Sequence, residues 1–195
     1  MRIRGYRSAA LDAYAEQGLE FNRDAVASAV CAFIKGRMEQ IARDEKISSD
    51  TVAAVSAGSI TMPVHYLQLA HALEDARSQD KESFDNLATA YARAAHLADA
   101  SLGTDVDASL MGEAEKALLE ATDAASAAVE AALAENDFAG IIASLASLRE
   151  PIDRFFDDVM VMDEDEALRN NRLRLLNRFE SVFAGIANIG ELARK

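Results

Sequence analysis

Apolar residues recur at helical spacing along nearly the whole chain. One stripe begins after Asn22, another runs through Tyr66 to Leu73, and a third crosses residues 84–97. Apolar positions three and four residues apart share one face of an α-helix. Alanine fills the intervening positions, only two residues are proline, and runs of β-branched residues are absent. The pattern predicts an all-α helical bundle of about seven to nine helices.

The pattern is sharpest in the stretch EPIDRFFDDVMVMDEDEALRNNRLRLLNRF, residues 150–179. Pro151 stands where a first-turn proline belongs, and Ile152, Phe155 and Phe156 follow on one face. The acidic run 163–166 then indicates the start of a second helix, because carboxylates oppose the partial positive charge of a helix N-terminus. This second helix is predicted to continue to about Ile189.

Turn-forming residues divide the chain. A short helical pattern within residues 1–20 stops at Gly18, so this segment is interpreted as a lead-in. Phe21 and Asn22 are predicted to staple and cap the next helix. Residues 21–195 are assigned to one helical domain. The polar, glycine-flanked stretch at 101–112 is predicted to be an internal break in that domain.

Charge is distributed unevenly. The formal net charge is −13, which by itself argues against a nucleic-acid partner. Residues 105–168 carry a net charge of −14, whereas residues 169–195 carry +4. The acidity therefore forms one block, for which solvation is the simplest explanation, and the end of the chain is locally basic.

The sequence offers little chemistry of its own. Cys31 is interpreted as a small buried hydrophobe, since free cysteine is among the most buried residue types. Three histidines without helical i, i+4 spacing do not indicate a metal site. No nucleophile, phosphate loop or oxyanion donor accompanies the acidic residues, so no catalytic residues are expected. No apolar run suits a membrane span or a signal peptide, and a cytoplasmic location without a membrane partner is expected.

A helical wheel at about 100° per residue divides the polar residues of the last helix. Arg172 falls within the apolar face and needs a carboxylate partner, because a lone buried charge is costly. Asp153 and Asp157 on the preceding helix are the predicted partners in a structural ion pair. The opposite face is predicted to present Asn170, Asn171, Arg174 and Arg178 to solvent, with Arg169 at its boundary.

The segments LREPIDRFF and FFDDVMVMDEDEALRNNRLRLLNRF, with AVASAVCAFIKGRM and FDNLATAYARAAHLAD upstream, carry a resemblance. The chain resembles the carboxyl-terminal end of the beta subunits of bacterial, heterotetrameric glycyl-tRNA synthetases, the part that is similar to DALR anticodon-binding domains. The likeness is dense over residues 138–189 and continuous upstream. It implies a DALR-like fold and a chain that is a fragment of a longer subunit.

The resemblance also implies a function. The whole enzyme joins glycine to its tRNA with ATP and magnesium, its aminoacylation site lies on the alpha subunit, and the fragment itself needs no cofactor. The fragment is then expected to bind the anticodon arm of tRNA(Gly), with the alpha subunit as a partner and without DNA binding. Arg169, Asn170, Asn171, Arg174, Arg178 and Arg93 are the expected RNA-binding residues.

Two alternatives stay open at this stage. Where the family reads close to NKRVSNI, this chain has YARAAHL, and Gln68 replaces a further family arginine. This loss of basic residues favours a structural, subunit-docking module with little RNA affinity of its own. A DALR domain of an arginyl or cysteinyl enzyme is the third possibility, which the FFDDVMVM segment separates only in part.

Overall fold

A computed structural model describes residues 22–60 and 62–193. Across this part of the chain it contains eight α-helices and no strand, which confirms the all-α prediction. The helices are α1 (Arg23–Asp44), α2 (Ser49–Ser56), α3 (Pro63–Gln79), α4 (Lys81–Leu97), α5 (Glu113–Glu135), α6 (Phe138–Ala146), α7 (Arg149–Asp158) and α8 (Glu166–Phe183). Short 3-10 helices occupy Ala100–Leu102, Ala108–Leu110 and Ile189–Ala193. None of the helices in the described part of the chain is both long and apolar enough to cross a membrane.

The helix boundaries follow the capping residues of the sequence. The Asn22 side chain accepts hydrogen bonds from the backbone amides of Asp24 and Ala25, at 3.1 and 3.0 Å, as predicted for a cap. Asn136 ends α5 in the left-handed region at φ 55°, and Asp137 then caps α6 through the Gly140 amide. The predicted staple at Phe21 and the short helix before Gly18 lie outside the described residues.

The described residues form two compact units, which divide between residues 37 and 38 within α1. The unit that ends at residue 37 shows the apolar stripe of α1 largely exposed, and Phe33 keeps 70% of its surface. Cys31 is exposed as well, so its predicted burial is wrong. A helical stripe states that a helix has an apolar face, but it does not identify what covers that face. The division of the chain at residues 20/21 and 101–112 stays a prediction.

The unit from residue 38 onward is built on contacts among α2 to α8 and the carboxyl-terminal 3-10 helix. α5 packs against α6, α7 and α8, while α4 packs against α7, α8 and the terminal 3-10 helix. Apolar side chains from all these elements form one core, whose largest fully buried members include Tyr66, Phe155, Phe179 and Phe183. Burial of such side chains is the main stabilising contribution to folding.

α8 ends earlier than the sequence predicts. Its last residue is Phe183 rather than a residue near Ile189. Gly185 adopts φ 81°, a left-handed conformation that glycine tolerates and that stops the helix. The chain then turns back onto α2, where the Ser59 amide donates to the Gly185 carbonyl and the Asn188 amide donates to the Ala54 carbonyl, both at 2.9 Å.

Gly58, at the end of α2, is where this returning segment comes closest. A Cβ atom built on Gly58 would overlap the backbone carbonyl oxygen of Ile186 and lie 2.8 Å from its carbonyl carbon. Backbone atoms cannot move aside as a flexible side chain can, so only glycine permits this approach. Residues 58 and 186 are therefore held together by main-chain packing.

Candidate functional site

The candidate site is built on α8, whose first turn begins as the sequence predicts. The Asp165 carboxylate accepts hydrogen bonds from the amides of Ala167 and Leu168, at 2.8 and 3.3 Å, and so caps the helix. Arg169 folds back over this turn and donates from Nη1 to the Asp163 carbonyl at 2.7 Å. Arg169 therefore secures the loop before α8 and is only partly exposed.

Arg172 forms ion pairs, but not with the predicted partners. Its Nε lies 2.9 Å from Glu115 Oε1 on α5, and its Nη1 lies 2.7 Å from Asp163 Oδ2 in the loop before α8. Asp153 instead pairs with Arg149, 3.3 Å away on the same helix, and Asp157 is exposed. The predicted pairing with Asp153 and Asp157 is wrong, because a helical wheel fixes the direction of a side chain but not the helix that it meets.

These ion pairs are well shielded from water. The Arg172 side chain is 13% exposed and that of Glu115 is 6% exposed. Burial alone disfavours the charge of Arg172. The hydrogen bonds that Arg172 donates to Asp163 and Glu115 outweigh this effect and raise the pKa of the guanidinium. The same hydrogen bond lowers the pKa of the Asp163 carboxyl. Both partners therefore stay charged, and α5, α8 and the loop between α7 and α8 are joined.

Glu115 was not singled out from the sequence, although a signal for it existed. It lies three residues after Gly112, the N3 position of α5, and its Oε2 accepts a hydrogen bond from the Gly112 amide at 2.7 Å. A glutamate at N3 is the reciprocal half of a capping box. Its second oxygen is consequently directed at Arg172.

Three polar residues of α8 hold the segment 98–112, which we call the connecting loop. Asn171 exchanges two hydrogen bonds with the Asp107 backbone, at 2.7 and 3.0 Å. Arg174 donates from Nε to the Leu102 carbonyl at 3.2 Å. Asn177 accepts from the Asp99 amide and donates to the Asp99 and Gly103 carbonyls. The spacing of three residues places all three side chains on one face of α8.

The prediction that Asn171 is exposed is therefore wrong. Its residue surface is 1% exposed, because the connecting loop covers it and uses its whole amide group. Asn177, which the sequence analysis passed over, is buried for the same reason. Asn171 and Asn177 each lie three residues from Arg174, which indicated that the three share one face of α8. A helical wheel cannot show that a loop packs over that face.

The remaining predicted residues differ in how far they are engaged. Arg178 donates from Nε to Asp123 Oδ1 on α5 at 2.6 Å, so a carboxylate of the acidic block neutralises it. Asn170 is partly exposed and makes no hydrogen bond within the described part of the chain. The terminal nitrogens of Arg174 likewise have no partner among the residues that the structure describes. Arg178 also uses only its Nε, but Arg174 keeps its terminal nitrogens unused without a carboxylate partner in the described part of the chain.

Arg93 lies on α4 rather than α8. It is exposed, and its guanidinium carbon stands 4.1 Å from the centre of the Phe156 ring on α7. A cation over an aromatic face is stabilised by the ring quadrupole and keeps its N–H groups directed outward. Arg93 can thus donate to an anion without leaving Phe156. Within the described ranges, no group of three or more His, Cys, Asp or Glu residues is arranged to hold a metal ion.

Comparisons with known proteins agree with this architecture. The family model of the DALR anticodon binding domain matches residues 87–189, which include α4 from residue 87 onward, α5 to α8 and the connecting loop. The chain is 38% identical over 181 residues to the glycine–tRNA ligase beta subunit of Vibrio campbellii, an alignment that covers 91% of this chain and 26% of that protein. It is 36% identical over 193 residues to the corresponding subunit of Alteromonas mediterranea, with coverages of 96% and 27%. The chain thus spans about a quarter of the length of these curated relatives.

Proposed function

Because this chain belongs to the DALR anticodon binding domain family, we propose that it is the region of a glycine–tRNA ligase beta subunit that binds the anticodon arm of tRNA(Gly). The observation that carries the proposal is the family match, which includes every predicted RNA-binding residue of the candidate site. In the whole enzyme this region would support ATP- and magnesium-dependent glycyl-tRNA synthesis in the cytoplasm, together with an alpha subunit. Its own residues would bind and position RNA without taking part in bond formation.

Arg174 is the residue best placed for this role. Its Nε is fixed by the Leu102 carbonyl, whereas its terminal nitrogens have no partner in the described part of the chain. A guanidinium held at one end and open at the other can donate two parallel hydrogen bonds to a phosphate. Phosphate contacts set affinity and orientation, while unstacked loop bases supply sequence information. Arg93 and Arg169 would add weaker phosphate contacts at the margins.

The Arg174→Ala variant tests the proposal directly. We expect it to raise the Kd for tRNA(Gly) about 5- to 15-fold, because one charge-assisted contact is lost, and to lower the free energy of unfolding by about 1 kcal/mol, because the Leu102 carbonyl loses its donor. Fluorescence anisotropy across a salt series measures the change in Kd. The slope of log Kd against log salt concentration should become shallower by roughly the contribution of one phosphate contact. Arg43→Ala is the matched control, since Arg43 is an exposed arginine on α1.

Two results would contradict the proposal. One is equal affinity of the wild-type chain for tRNA(Gly) and a non-cognate tRNA at moderate salt. The other is the same Kd for Arg174→Ala and Arg43→Ala.

A structural, subunit-docking module is the second candidate, and one observation favours it. Residues 22–37 expose Val26, Val30 and Phe33 on α1. Exposed apolar side chains that share one face are typical of protein-interaction surfaces. Under this alternative the chain would bind tRNA weakly and without preference, and Phe33→Ser would reduce its co-sedimentation with the alpha subunit. The anisotropy series and a sedimentation experiment together distinguish the two functions.

A further inference from the structure

A cavity lies where the carboxyl-terminal part of α4, the connecting loop and the last turns of α8 meet. It has a volume of about 560 Å³, within the range of small-molecule pockets. Small residues form much of its wall, including Ala95, Ala98 and Gly103, and polar residues form the rest, among them Tyr91, Asn177 and Glu180. An apolar slot with a few polar groups is the usual form of a pocket for a flat, partly polar ligand.

Two of these polar residues are unpaired. The Tyr91 hydroxyl makes no hydrogen bond with the residues that the structure describes, yet it is not sealed from solvent. The Glu180 carboxylate, half-buried on α8, also lacks a hydrogen bond or ion pair within those residues. Asn177, by contrast, uses its amide group on the connecting loop. The packed side chains of the cavity therefore offer one free donor and one free acceptor, beside the exposed hydroxyl of Thr104, which also makes no hydrogen bond within the described residues.

The donor is rigid and permanently protonated. The Tyr91 ring is packed edge-on against Phe183, with ring centres 4.9 Å apart, and only 8% of the residue is exposed. Burial, with the nearby Glu180 carboxylate as a second cause, raises the pKa of Tyr91 to about 12. A phenol that cannot ionise at neutral pH and cannot turn away is a preorganised hydrogen-bond donor.

The open arginine of α8 is bonded to the loop that forms one wall of the same cavity. Arg174 is anchored to the carbonyl of Leu102, which adjoins the cavity-lining Gly103. Arg174 also precedes Asn177 by three residues, so both side chains share one face of the helix. A flat ligand in the cavity that carried a phosphate would therefore bring that phosphate toward the unused nitrogens of Arg174.

We propose that this cavity binds one unstacked nucleobase of the RNA, with the Tyr91 hydroxyl as donor, the Glu180 carboxylate as acceptor and Arg174 on the adjoining phosphate. The inference rests on the proposed function and adds to it the position and chemistry of a base-recognition site. Single-stranded loop bases are read in this way, through hydrogen bonds to their Watson–Crick edges. Four side chains of the pocket wall are too small to obstruct a base: Ala95, Ala98, Ala100 and Gly103.

Glu180 also restricts which bases fit. An ionised carboxylate accepts hydrogen bonds and cannot donate them, so it favours a base with an exocyclic amino group. Cytosine, adenine and guanine carry such a group, whereas uracil presents carbonyl oxygens on both sides of its single N–H. The pocket should therefore select an amino-bearing base over uracil.

A double-mutant cycle between protein and RNA tests the site. The 195-residue chain is titrated against a fluorescein-labelled anticodon stem-loop of tRNA(Gly), with an abasic residue placed at each loop position in turn. Tyr91→Phe and Glu180→Gln should each raise the Kd about 3- to 10-fold, because the first loses its hydrogen bond and the second replaces a charge-assisted hydrogen bond with a weaker neutral one. At one loop position, the abasic RNA should bind wild type as weakly as the variants bind the intact RNA. With that abasic RNA, neither variant should bind more weakly than wild type. Uracil at that position should reproduce the loss.

Charge-matched and hydroxyl-matched controls isolate the effect. Glu180→Gln removes a negative charge, which alone would strengthen binding to RNA, so a loss of affinity opposes the electrostatic expectation. Glu120→Gln, at an exposed position of α5, should bind slightly more tightly than wild type. Tyr66→Phe removes a hydroxyl that is bonded to Ser56 away from the cavity and should leave the Kd unchanged.

The outcomes separate this inference from the proposed function. If wild type binds the stem-loop but the penalties of protein and RNA changes simply add at every loop position, the base site is overturned while RNA binding stands. Unchanged binding by both Tyr91→Phe and Glu180→Gln has the same meaning. If wild type binds no stem-loop at all, the proposed function fails and the base site fails with it.

Discussion

The two ends of α8 carry polar groups in opposite states of pairing. Near its start, Arg172 uses Nε and Nη1 on Glu115, Asp163 and the Met160 carbonyl. Near its end, Glu180 of α8 and Tyr91 of the adjacent α4 face a cavity without partners among the described residues. A group whose hydrogen-bonding capacity is used inside the protein stabilises the fold, whereas an open one is available to a ligand. The comparison assigns stability to the first end and recognition to the second.

Removing Arg172 should have the largest effect on stability. Arg172→Ala leaves the Glu115 carboxylate buried without its cation, a loss of about 3 kcal/mol in the free energy of unfolding. Urea unfolding followed by circular dichroism measures this. Arg154→Ala, which breaks an exposed pair with Asp158, should cost less than about 0.5 kcal/mol. Equal losses in the two variants would mean that the ion pairs of Arg172 stabilise the fold no more than an exposed pair does.

Adjacent asparagines offer a sharper test of the same idea. Asn171→Ala should lower the free energy of unfolding by about 2 kcal/mol, because the Asp107 amide and carbonyl lose their partner. Asn170→Ala, one residue earlier and without such a partner in the described ranges, should change it by less than about 0.5 kcal/mol. Chemical denaturation measures both, and amide hydrogen exchange should locate the Asn171 effect in the connecting loop. A similar loss from both changes would contradict the assigned roles.

The smallest expected effect concerns pH. Arg172 lowers the pKa of Asp163 below the unfolded value of about 3.9, so this carboxylate stabilises the fold above about pH 4. That contribution is lost as the pH falls through the lower folded pKa. Wild type should therefore lose more stability than Arg172→Ala between about pH 6 and about pH 3, as urea midpoints would show. Identical losses would mean that the Arg172 ion pair does not determine the acid sensitivity.

The sequence predicted the positions of the helices better than it predicted which elements pack against each other. Helical period and capping residues located α1 to α8, and the acidic run at 163–166 marked the start of α8. Both signals are local, since they depend on residues within one or two turns. The end of α8 was placed too late because the sequence does not show which glycine adopts a left-handed conformation, as Gly185 does.

The candidate site was predicted only in part for a related reason. A wheel correctly indicated that Arg172 points inward, but it could not show that Glu115, 57 residues earlier, would meet it. It placed Asn171 in solvent because the connecting loop, which covers that face, has no periodicity of its own. The unpaired state of Tyr91 and Glu180 is a tertiary property, and no spacing in the sequence reports it.

The close approach of Gly58 to Ile186 has a consequence for synthesis on the ribosome. The two positions are 128 residues apart, so α2 cannot gain its final neighbour until almost the whole described chain has been made. Contacts between distant parts of a chain form slowly because a long loop must close first. Until then the side of α2 that meets the returning segment stays uncovered, although α2 can already pack against α3, and exposed apolar surface of this kind makes incomplete chains prone to aggregation. The contact between Gly58 and Ile186 therefore completes this part of the fold only late in translation.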